Sequence, residues 1–185
     1  MTETQPQTET TPFWRFSLRF YRLAGVADAC IALQDEYGVD VNLLMFLLWR
    51  ADEGSLLSAD EVRSLDDKVR DWRNHAVIPI RNIRRKLKSA RTLIEPGQQE
   101  AFRTKIKAIE LEAERLQQHA LFAFSQSASL GKEADPSTAA HGNVCAYEHI
   151  MGATFPRDTV DVLLGSFNAI PHGKHSTTPA GAERG

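Results

Sequence analysis

Apolar residues between Pro12 and Ile170 recur mostly every three or four positions, which is the spacing of an α-helix with one buried side. The chain contains no run of alternating β-branched residues joined by hairpin turns, so the pattern predicts no strands. The predicted fold class is therefore all-α: a compact helical bundle with a long antiparallel helical hairpin.

Two short amphipathic helices are predicted first. Pro12 suits the first helical position, where a missing N–H is tolerated, and a stripe of phenylalanines follows it until Gly25. The second helix carries apolar residues at steps of four, three and four. It ends at Gly38, because glycine readily adopts the left-handed conformation of a helix C-cap.

The third predicted helix is apolar on all sides. It begins after an N-cap at Asp40 or Asn42 and continues through seven consecutive apolar residues that end at Trp49. Since such a helix has no side suited to water, we predict that it forms the buried centre of the fold.

The longest amphipathic region covers residues 58–126 and is interpreted as the hairpin. Ser58 followed by Glu61 is a capping box that opens it. Pro79 lacks a backbone N–H and its ring collides with the preceding turn, so we predict a kink or break there. Residues 95–97 (Glu-Pro-Gly) are interpreted as the turn before a returning antiparallel helix. Each arm would be roughly 40–50 Å long at 1.5 Å per residue, so we expect the hairpin to project or to pair with another surface.

Composition and charge are those of an ordinary globular protein. The hydrophobic share is 42%, and 22 basic residues stand against 24 acidic ones, for a net charge of -2. This balance provides no general attraction to nucleic acid or to an anionic membrane. We expect one helical domain over 12–170 and disordered tails at 1–11 and 171–185.

The chain carries no predicted targeting or membrane segment. Its first residues contain no apolar stretch, so no secretory signal peptide is expected, and its longest apolar run is far shorter than the ~20 residues that cross a bilayer. Cys30 and Cys145 are far apart in the sequence, as expected of free thiols. We therefore predict a cytoplasmic protein that does not associate with membranes.

A basic stripe lies on the outgoing arm of the hairpin. Its side chains are Arg81, Arg84, Arg85, Lys88 and Arg91. Because most of them share one helix face, the stripe is a candidate for binding an anion or an acidic partner. The alternative, which we favour, is a surface face paired with the acids of the returning arm, Glu110, Glu112 and Glu114. No aromatic residues interleave the stripe, which disfavours nucleic acid.

His141, Cys145 and His149 follow one another at steps of four, on one face of a predicted helix. Imidazole and thiolate are good ligands for transition metals, so the three are a weak candidate for a metal site. They span about 12 Å of a straight helix, too far for all three to reach one ion. Gly142 would have to break the helix to bring them together, so we favour no metal.

Five acids and amides lie beside the apolar third helix: Asp28, Gln34, Asp35, Asp40 and Asn42. Carboxylates in apolar surroundings serve in acid–base chemistry or hold a divalent cation, so the group is a candidate pocket. The alternative, which we favour, is structural: helix caps, a first-turn acid, and hydrogen-bond partners for tryptophan indole groups.

Motifs in the first half of the chain are specific enough to identify a family. They are F-W-x-F-S-L-x-x-Y from Phe13, A-C-x-x-L-Q from Ala29 and G-x-D-V-N-L-L from Gly38, closed by Trp49. These motifs resemble the signature of a family of bacterial proteins described as a domain of unknown function. The residues P-I-R-x-I-R-R-x-L-K, which begin at Pro79, are similar to the next block of that family. The resemblance covers about half of the chain and implies no activity, so it assigns no role to any residue.

The functional prediction depends on the long hairpin and on the lack of catalytic motifs. Nothing in the sequence resembles a nucleophilic triad, a glycine loop that binds phosphate or a zinc site of paired cysteines. We therefore favour a non-enzymatic interaction or accessory protein without a cofactor, whose hairpin binds a protein partner or a second copy of the chain. The alternative is a small enzyme or ligand-binding protein with a carboxylate-lined pocket between the first three helices.

Overall fold

The computed structural model describes residues 10–89 and 93–172, and these are helical almost throughout, which confirms the all-α class. The predicted tails lie mostly outside this part of the chain, and Arg91 lies outside it as well. In chain order the elements are α1 (Pro12–Tyr21), α2 (Val26–Tyr37), α3 (Val41–Asp52), β1 (Ser55–Leu56), α4 (Ala59–Trp72), a π-helical turn (Arg73–Val77), α5 (Ile78–Ser89), α6 (Pro96–Ser127), β2 (Lys132–Glu133), α7 (Pro136–Met151) and α8 (Arg157–Asn168).

Local sequence signals set the ends of the first helices. The Thr11 side chain accepts a hydrogen bond from the Trp14 N–H at 3.1 Å, so the chain is already ordered one residue before α1. Gly25 and Gly38 bracket α2 with φ values of 79° and 70°, a left-handed conformation that favours glycine. The predicted end of α2 at Gly38 is therefore confirmed.

Helix α3 is the buried centre of the fold, as predicted. Every side chain from Leu43 to Trp49 is at most 3% exposed. The helix contacts α1, α2, α6 and α7, and Phe13 of α1 packs edge-on against Phe46 and in a stacked arrangement against Trp49, with ring centroids 5.3 and 5.4 Å apart. Aromatic pairs at these distances add to the stabilisation that apolar burial provides.

The chain from α4 to α5 is one uninterrupted helix, so of the predicted kink or break near Pro79 the break does not occur. The capping box at its start is present, with the Ser58 N–H donating to Glu61 Oε2 at 2.8 Å. Instead of breaking, residues 73–77 are wound as a π-helix just before Pro79. The carbonyl group with which the proline ring would collide belongs to residue 75, inside this wider turn, which explains how the helix continues.

Helices α5 and α6 form the predicted antiparallel hairpin. Helix α6 has 32 residues and begins at Pro96, after an N-cap at Glu95, so residues 95–97 start the returning arm and do not make the turn. In its N-terminal half α6 packs along α5; farther along it reaches α1, α3 and α4. None of the α5 side chains is buried, so the end of the hairpin lies outside the apolar core.

A short ladder closes the bundle, although the sequence predicted no strand. Ser55 pairs with Glu133 and Leu56 pairs with Lys132 in antiparallel register. Gly131, which precedes β2, allows the two strands to approach. Its φ is +74°, and a Cβ there would lie 2.9 Å from the Leu56 carbonyl oxygen. Two residues per strand have too little alternation to be recognised in a sequence.

Helices α7 and α8 pack back onto the helices that precede them. Helix α7 contacts α3 and α4, and α8 contacts α2. In the described part of the chain, no helix combines the length and the apolar character needed to cross a bilayer.

Candidate functional site

Asp40, one of the predicted pocket residues, is the centre of a buried polar network. Its Oδ1 caps α3 by accepting the N–H groups of Asn42 and Leu43 at 2.9 and 3.3 Å. Its Oδ2 accepts hydrogen bonds from Arg73 of the π-helical turn at 3.1 Å and from Gln117 of α6 at 2.6 Å. One carboxylate oxygen therefore caps α3 and the other joins α3 to the π-helical turn and to α6, which fits a structural role.

The surroundings of Asp40 extend this network to α4 and α7. Arg73 also donates to Asp66 at 2.6 Å, and the Asp40 backbone N–H donates to the Tyr147 hydroxyl at 2.9 Å. Burial raises the pKa of Tyr147 far above its ordinary range, and the nearby Asp40 charge adds to the effect, so the phenol stays neutral. Asn42 accepts from the Gln118 amide at 2.9 Å, which is a second link between α3 and α6.

The five residues of the predicted polar group do not all line the same cavity. Gln34 and Asn42 line one cleft, and Gln34, Asp35 and Asp40 line a neighbouring groove of about 330 Å³. Asp28 lies in the first turn of α2, is exposed, and lines neither. The residues therefore do not form one pocket.

The indole groups do not use the residues that the sequence suggested. The Trp72 N–H donates to the Ala113 carbonyl oxygen on α6 at 2.9 Å. The Trp49 N–H is buried and finds no acceptor among the described residues. Asp28, Gln34 and Asp35 therefore serve neither of these two tryptophans.

Most arginines of the basic stripe make ion pairs within the protein. Arg81 donates to Glu110 at 3.1 Å and to Glu114 at 2.7 Å, and both Nε and Nη2 of Arg84 donate to Glu110. Arg85 reaches across to Asp35 of α2 at 2.8 Å. Glu112 pairs instead with Arg115 on its own helix, and Lys88 is exposed without an ion pair among the described residues.

The two glutamates that pair with these arginines have pKa values shifted in opposite directions. Burial raises the pKa of Glu110, but hydrogen bonds and charge from Arg84 and Arg81 outweigh it, so the pKa lies below its ordinary value. For Glu114 burial is the larger effect, and its single arginine, Arg81, does not offset it, so the pKa is raised. The hairpin therefore holds one firmly ionised carboxylate next to one that protonates more easily.

A cleft of about 360 Å³ opens where α1, α2 and α3 meet the hairpin. It collects residues from two predicted groups that are distant in sequence: Gln34 and Asn42 from the polar group, and Arg81, Arg84 and Arg85 from the basic stripe. We call it the hairpin cleft. Its walls are mostly apolar, and its charged groups come chiefly from α5 and α6, so it differs from the carboxylate-lined pocket predicted between the first three helices.

Two polar atoms of residues that line the hairpin cleft have no hydrogen-bond partner among the described residues: Ser17 Oγ and Gln118 Oε1. Both residues are only 5% exposed. A buried polar group without a partner costs about 1–3 kcal/mol, and it is often explained by a molecule that binds next to it.

The opposite side of the hairpin carries exposed apolar side chains. Residues two apart on a helix point about 200° apart. Ile83 is thus opposite Arg85, and Ile109 is opposite Leu111; since Arg85 and Leu111 both line the hairpin cleft, Ile83 and Ile109 face away from it. We call this side the outer face, and its large side chains are Trp72, Ile83, Phe102, Ile109 and Leu116.

His141, Cys145 and His149 lie on α7, which continues through Gly142 without a break. Cys145 Sγ lies 3.7 Å from His141 Nδ1, and His149 is one turn farther along the helix. In the described residues no group of three or more His, Cys, Asp or Glu side chains is arranged to hold a metal ion. The helix break that would have brought the three ligands together is absent. Gly142 has a packing role instead, since a Cβ at this position would collide with the Leu56 side chain.

The two thiols should differ in reactivity. Cys30 has no exposed surface, and burial raises its pKa to about 12, whereas Cys145 is exposed. Because the thiolate is the reactive form, we expect the native protein to consume one equivalent of Ellman's reagent, and a second only after unfolding in denaturant. The Cys145→Ser variant is the control and should not react while folded. Two rapid equivalents in the native wild type would contradict this assignment.

Several residues of these sites carried no individual signal in the sequence. Arg73, Gln117 and Gln118 contribute to the buried network, yet each is an ordinary polar residue on a helix. The one available signal was polar character at α6 positions that share the helix side of Ala113 and Leu121. A polar residue on a buried side needs a partner, which here lies on α3.

Comparison with known proteins places the chain in a family. Residues 12–121, more than half of the chain, match the model of a family described as protein of unknown function (DUF2390). The chain therefore belongs to this family, which confirms the resemblance drawn from its motifs. No curated protein and no solved structure matches it significantly. The matched range includes every residue that lines the hairpin cleft.

Proposed function

We propose that this family member is a non-enzymatic interaction protein that pairs with a second copy of itself through the outer face of its hairpin. The observation that carries the proposal is the exposure of five large apolar side chains on that face, each between 42% and 54% exposed. Single exposed apolar residues are common on protein surfaces, but a contiguous group marks an interaction site.

The spacing along α6 supports one continuous contact surface. Phe102, Ile109 and Leu116 are seven residues apart, so they form a row along one side of the helix, as in the seam of a coiled coil. The Trp72 indole, bonded to the Ala113 carbonyl oxygen, lies beside this row between Ile109 and Leu116. The row would be covered if another pair of helices packed on it, giving a four-helix bundle.

A second copy suits this row because the row is symmetric about Ile109. In an antiparallel pairing centred there, Phe102 of one copy would face Leu116 of the other, and the two Ile109 side chains would meet. The charges follow the same symmetry. Lys105 and the exposed Glu112 flank the row on the same side, and the pairing would bring Lys105 of each copy close to Glu112 of the other.

The proposed setting is the bacterial cytoplasm. A bacterial origin is supported by the motifs in the first half of the chain, which resemble those of a family of bacterial proteins. The cytoplasm is supported by two free cysteines, one of them exposed, since exposed thiols persist in reducing compartments. The internal ion pairs of Arg81 and Arg84 support the expectation that nucleic acid is not the partner, because these side chains are already neutralised.

Sedimentation equilibrium of the full chain tests the pairing. We expect a dimer whose Kd rises at least about 30-fold in Ile109→Glu, because that change puts two carboxylates at the centre of an apolar contact. The matched control is Leu111→Glu, the same change at an equally exposed residue on the opposite side of α6, and it should leave the Kd unchanged.

A charge exchange provides the sharper test of the antiparallel geometry. Lys105→Glu and Glu112→Lys should each weaken the dimer by bringing like charges together, and the double variant should restore it. A monomeric wild type at all concentrations, or a dimer indifferent to Ile109→Glu, would reject the second copy as the occupant of this face.

A further inference from the structure

We infer that the hairpin cleft is a binding site for a small organic anion with an elongated apolar body, such as a medium-chain carboxylate or its phosphate equivalent. The cleft lies on the side of the hairpin opposite to the outer face. This inference is therefore independent of the proposed dimer, and each can fail without the other.

The walls of the hairpin cleft suit an apolar body. Trp14 and Leu18 of α1, Ile31 of α2, Met45 of α3 and Leu111 of α6 all contribute to its lining. Leu18, Ile31 and Leu111 are exposed large apolar residues, so a ligand that covered them would remove apolar surface from water. The volume of about 360 Å³ lies at the lower end of the range for small-molecule sites.

The charges around the hairpin cleft favour an anion. Five cationic side chains line it, against two carboxylates. The inner arginines are engaged by Glu110, Glu114 and Asp35, whereas Arg22 and Lys107 make no ion pair among the described residues. Both of these residues are exposed, so two cations without an ion pair are accessible to the anionic group of a ligand.

This combination points to a small molecule and not to a polyanion. A polyanion needs a row of accessible cations along a surface. Here Arg81 and Arg84 are largely covered and are bridged by one glutamate, with side-chain exposures of 15% and 24%. The cleft instead offers apolar walls together with two exposed cations that make no ion pair among the described residues.

Isothermal titration calorimetry of the full chain with matched probes tests the inference. Decanoate and decyl phosphate carry both the charge and the chain, decanol carries the chain alone, and acetate and inorganic phosphate carry the charge alone. We expect binding of decanoate, decyl phosphate or both, with each favoured probe at least about tenfold tighter than the three partial probes. The ratio of the two affinities then distinguishes a carboxylate site from a phosphate site.

Variants of residues that line the hairpin cleft test where the ligand binds. The double variant Arg22→Gln, Lys107→Gln should bind the favoured anion about tenfold more weakly. Ile31→Glu should have an effect of the same size, because it places an acid on an exposed wall. The matched control for charge is Arg15→Gln with Arg63→Gln, which removes two exposed cations that do not line the cleft. It should leave the affinity unchanged.

Three results would overturn the inference. They are binding of decanol as tight as that of the anions, binding of acetate or inorganic phosphate as tight as that of the long-chain probes, and no binding of any probe. The Ile109→Glu variant, which alters only the outer face, should bind the favoured probe like the wild type. Loss of the dimer with retained anion binding in this variant would support both proposals. A wild type that binds the anion but stays monomeric at all concentrations would reject the dimer alone, and a dimer that binds no probe would reject the anion site alone.

Discussion

Asp40→Ala should destabilise the protein by about 4 kcal/mol, because the change removes a helix cap and at the same time leaves buried partners unpaired. Asp40 is 6% exposed, and its Oδ2 accepts from both Arg73 and Gln117. Without the carboxylate, Arg73 keeps only Asp66 as an ion-pair partner among the described residues, and the Gln117 amide loses the acceptor that it has in the structure. Chemical denaturation would measure this loss, which is a large fraction of the 5–15 kcal/mol free energy of unfolding of typical proteins.

Asp135→Ala is the matched control for this loss. Asp135 caps α7 through the Thr138 N–H at 3.0 Å, but it is exposed and its cap is the only role that the structure gives it. Its replacement should therefore cost several times less than Asp40→Ala. Asp40→Asn should fall between the two, since the amide oxygen still caps α3 while the charge that faces Arg73 is lost. Equal losses for Asp40→Ala and Asp135→Ala would show that the buried network contributes no stability.

Asn143→Ala should cost about 3 kcal/mol, the second largest effect expected of a single change. Asn143 has no exposed surface, accepts from the Leu57 N–H at 2.7 Å, and donates to the carbonyl oxygens of Leu47 and Ser55 at 2.9 and 3.1 Å. Truncation leaves a buried N–H without an acceptor and opens a cavity between α3 and α7.

The control variant for Asn143→Ala is Asn168→Ala, at the exposed end of α8. It should change the free energy of unfolding little. A second readout separates loss of hydrogen bonds from loss of volume. In native-state hydrogen exchange, the Leu57 amide should be strongly protected in the wild type and should exchange faster than its neighbours in Asn143→Ala. An unchanged Leu57 exchange rate would contradict the bond that the structure assigns.

The helical hairpin has two sides with different chemistry, and α6 contributes to both. Leu111 and Glu114 line the hairpin cleft, whereas Ile109 and Leu116 belong to the outer face. Variants on α6 therefore need assignment to a side before their effects are interpreted. For this reason the dimer is tested by a pair of glutamate substitutions two residues apart, which differ in side and in little else.

Patterns in the sequence predicted the helices well, because their signals are local. A cap needs one side chain and the next three residues, so Asp40 and Ser58 marked the starts of α3 and α4. Seven apolar residues in a row required burial on every side, so the central position of α3 also followed from the sequence. Pro79 left a kink or a break open in the sequence, because a single π-helical turn can relieve the clash of its ring and the choice depends on the packing around it.

The candidate sites needed the tertiary structure. Helical periodicity states which residues share a side of a helix, but not which surface that side meets. Whether Arg84 faces solvent or Glu110 depended on the rotation of α5 against α6, and whether Gln118 has a partner depended on its distance from Asn42, 76 residues away in sequence. The hairpin cleft is a gap between five helices, and its size follows from how they pack and not from any segment alone. The sequence by itself therefore determined the helices, the buried α3 and the family, while packing decided which polar groups meet and which apolar side of the hairpin stays uncovered.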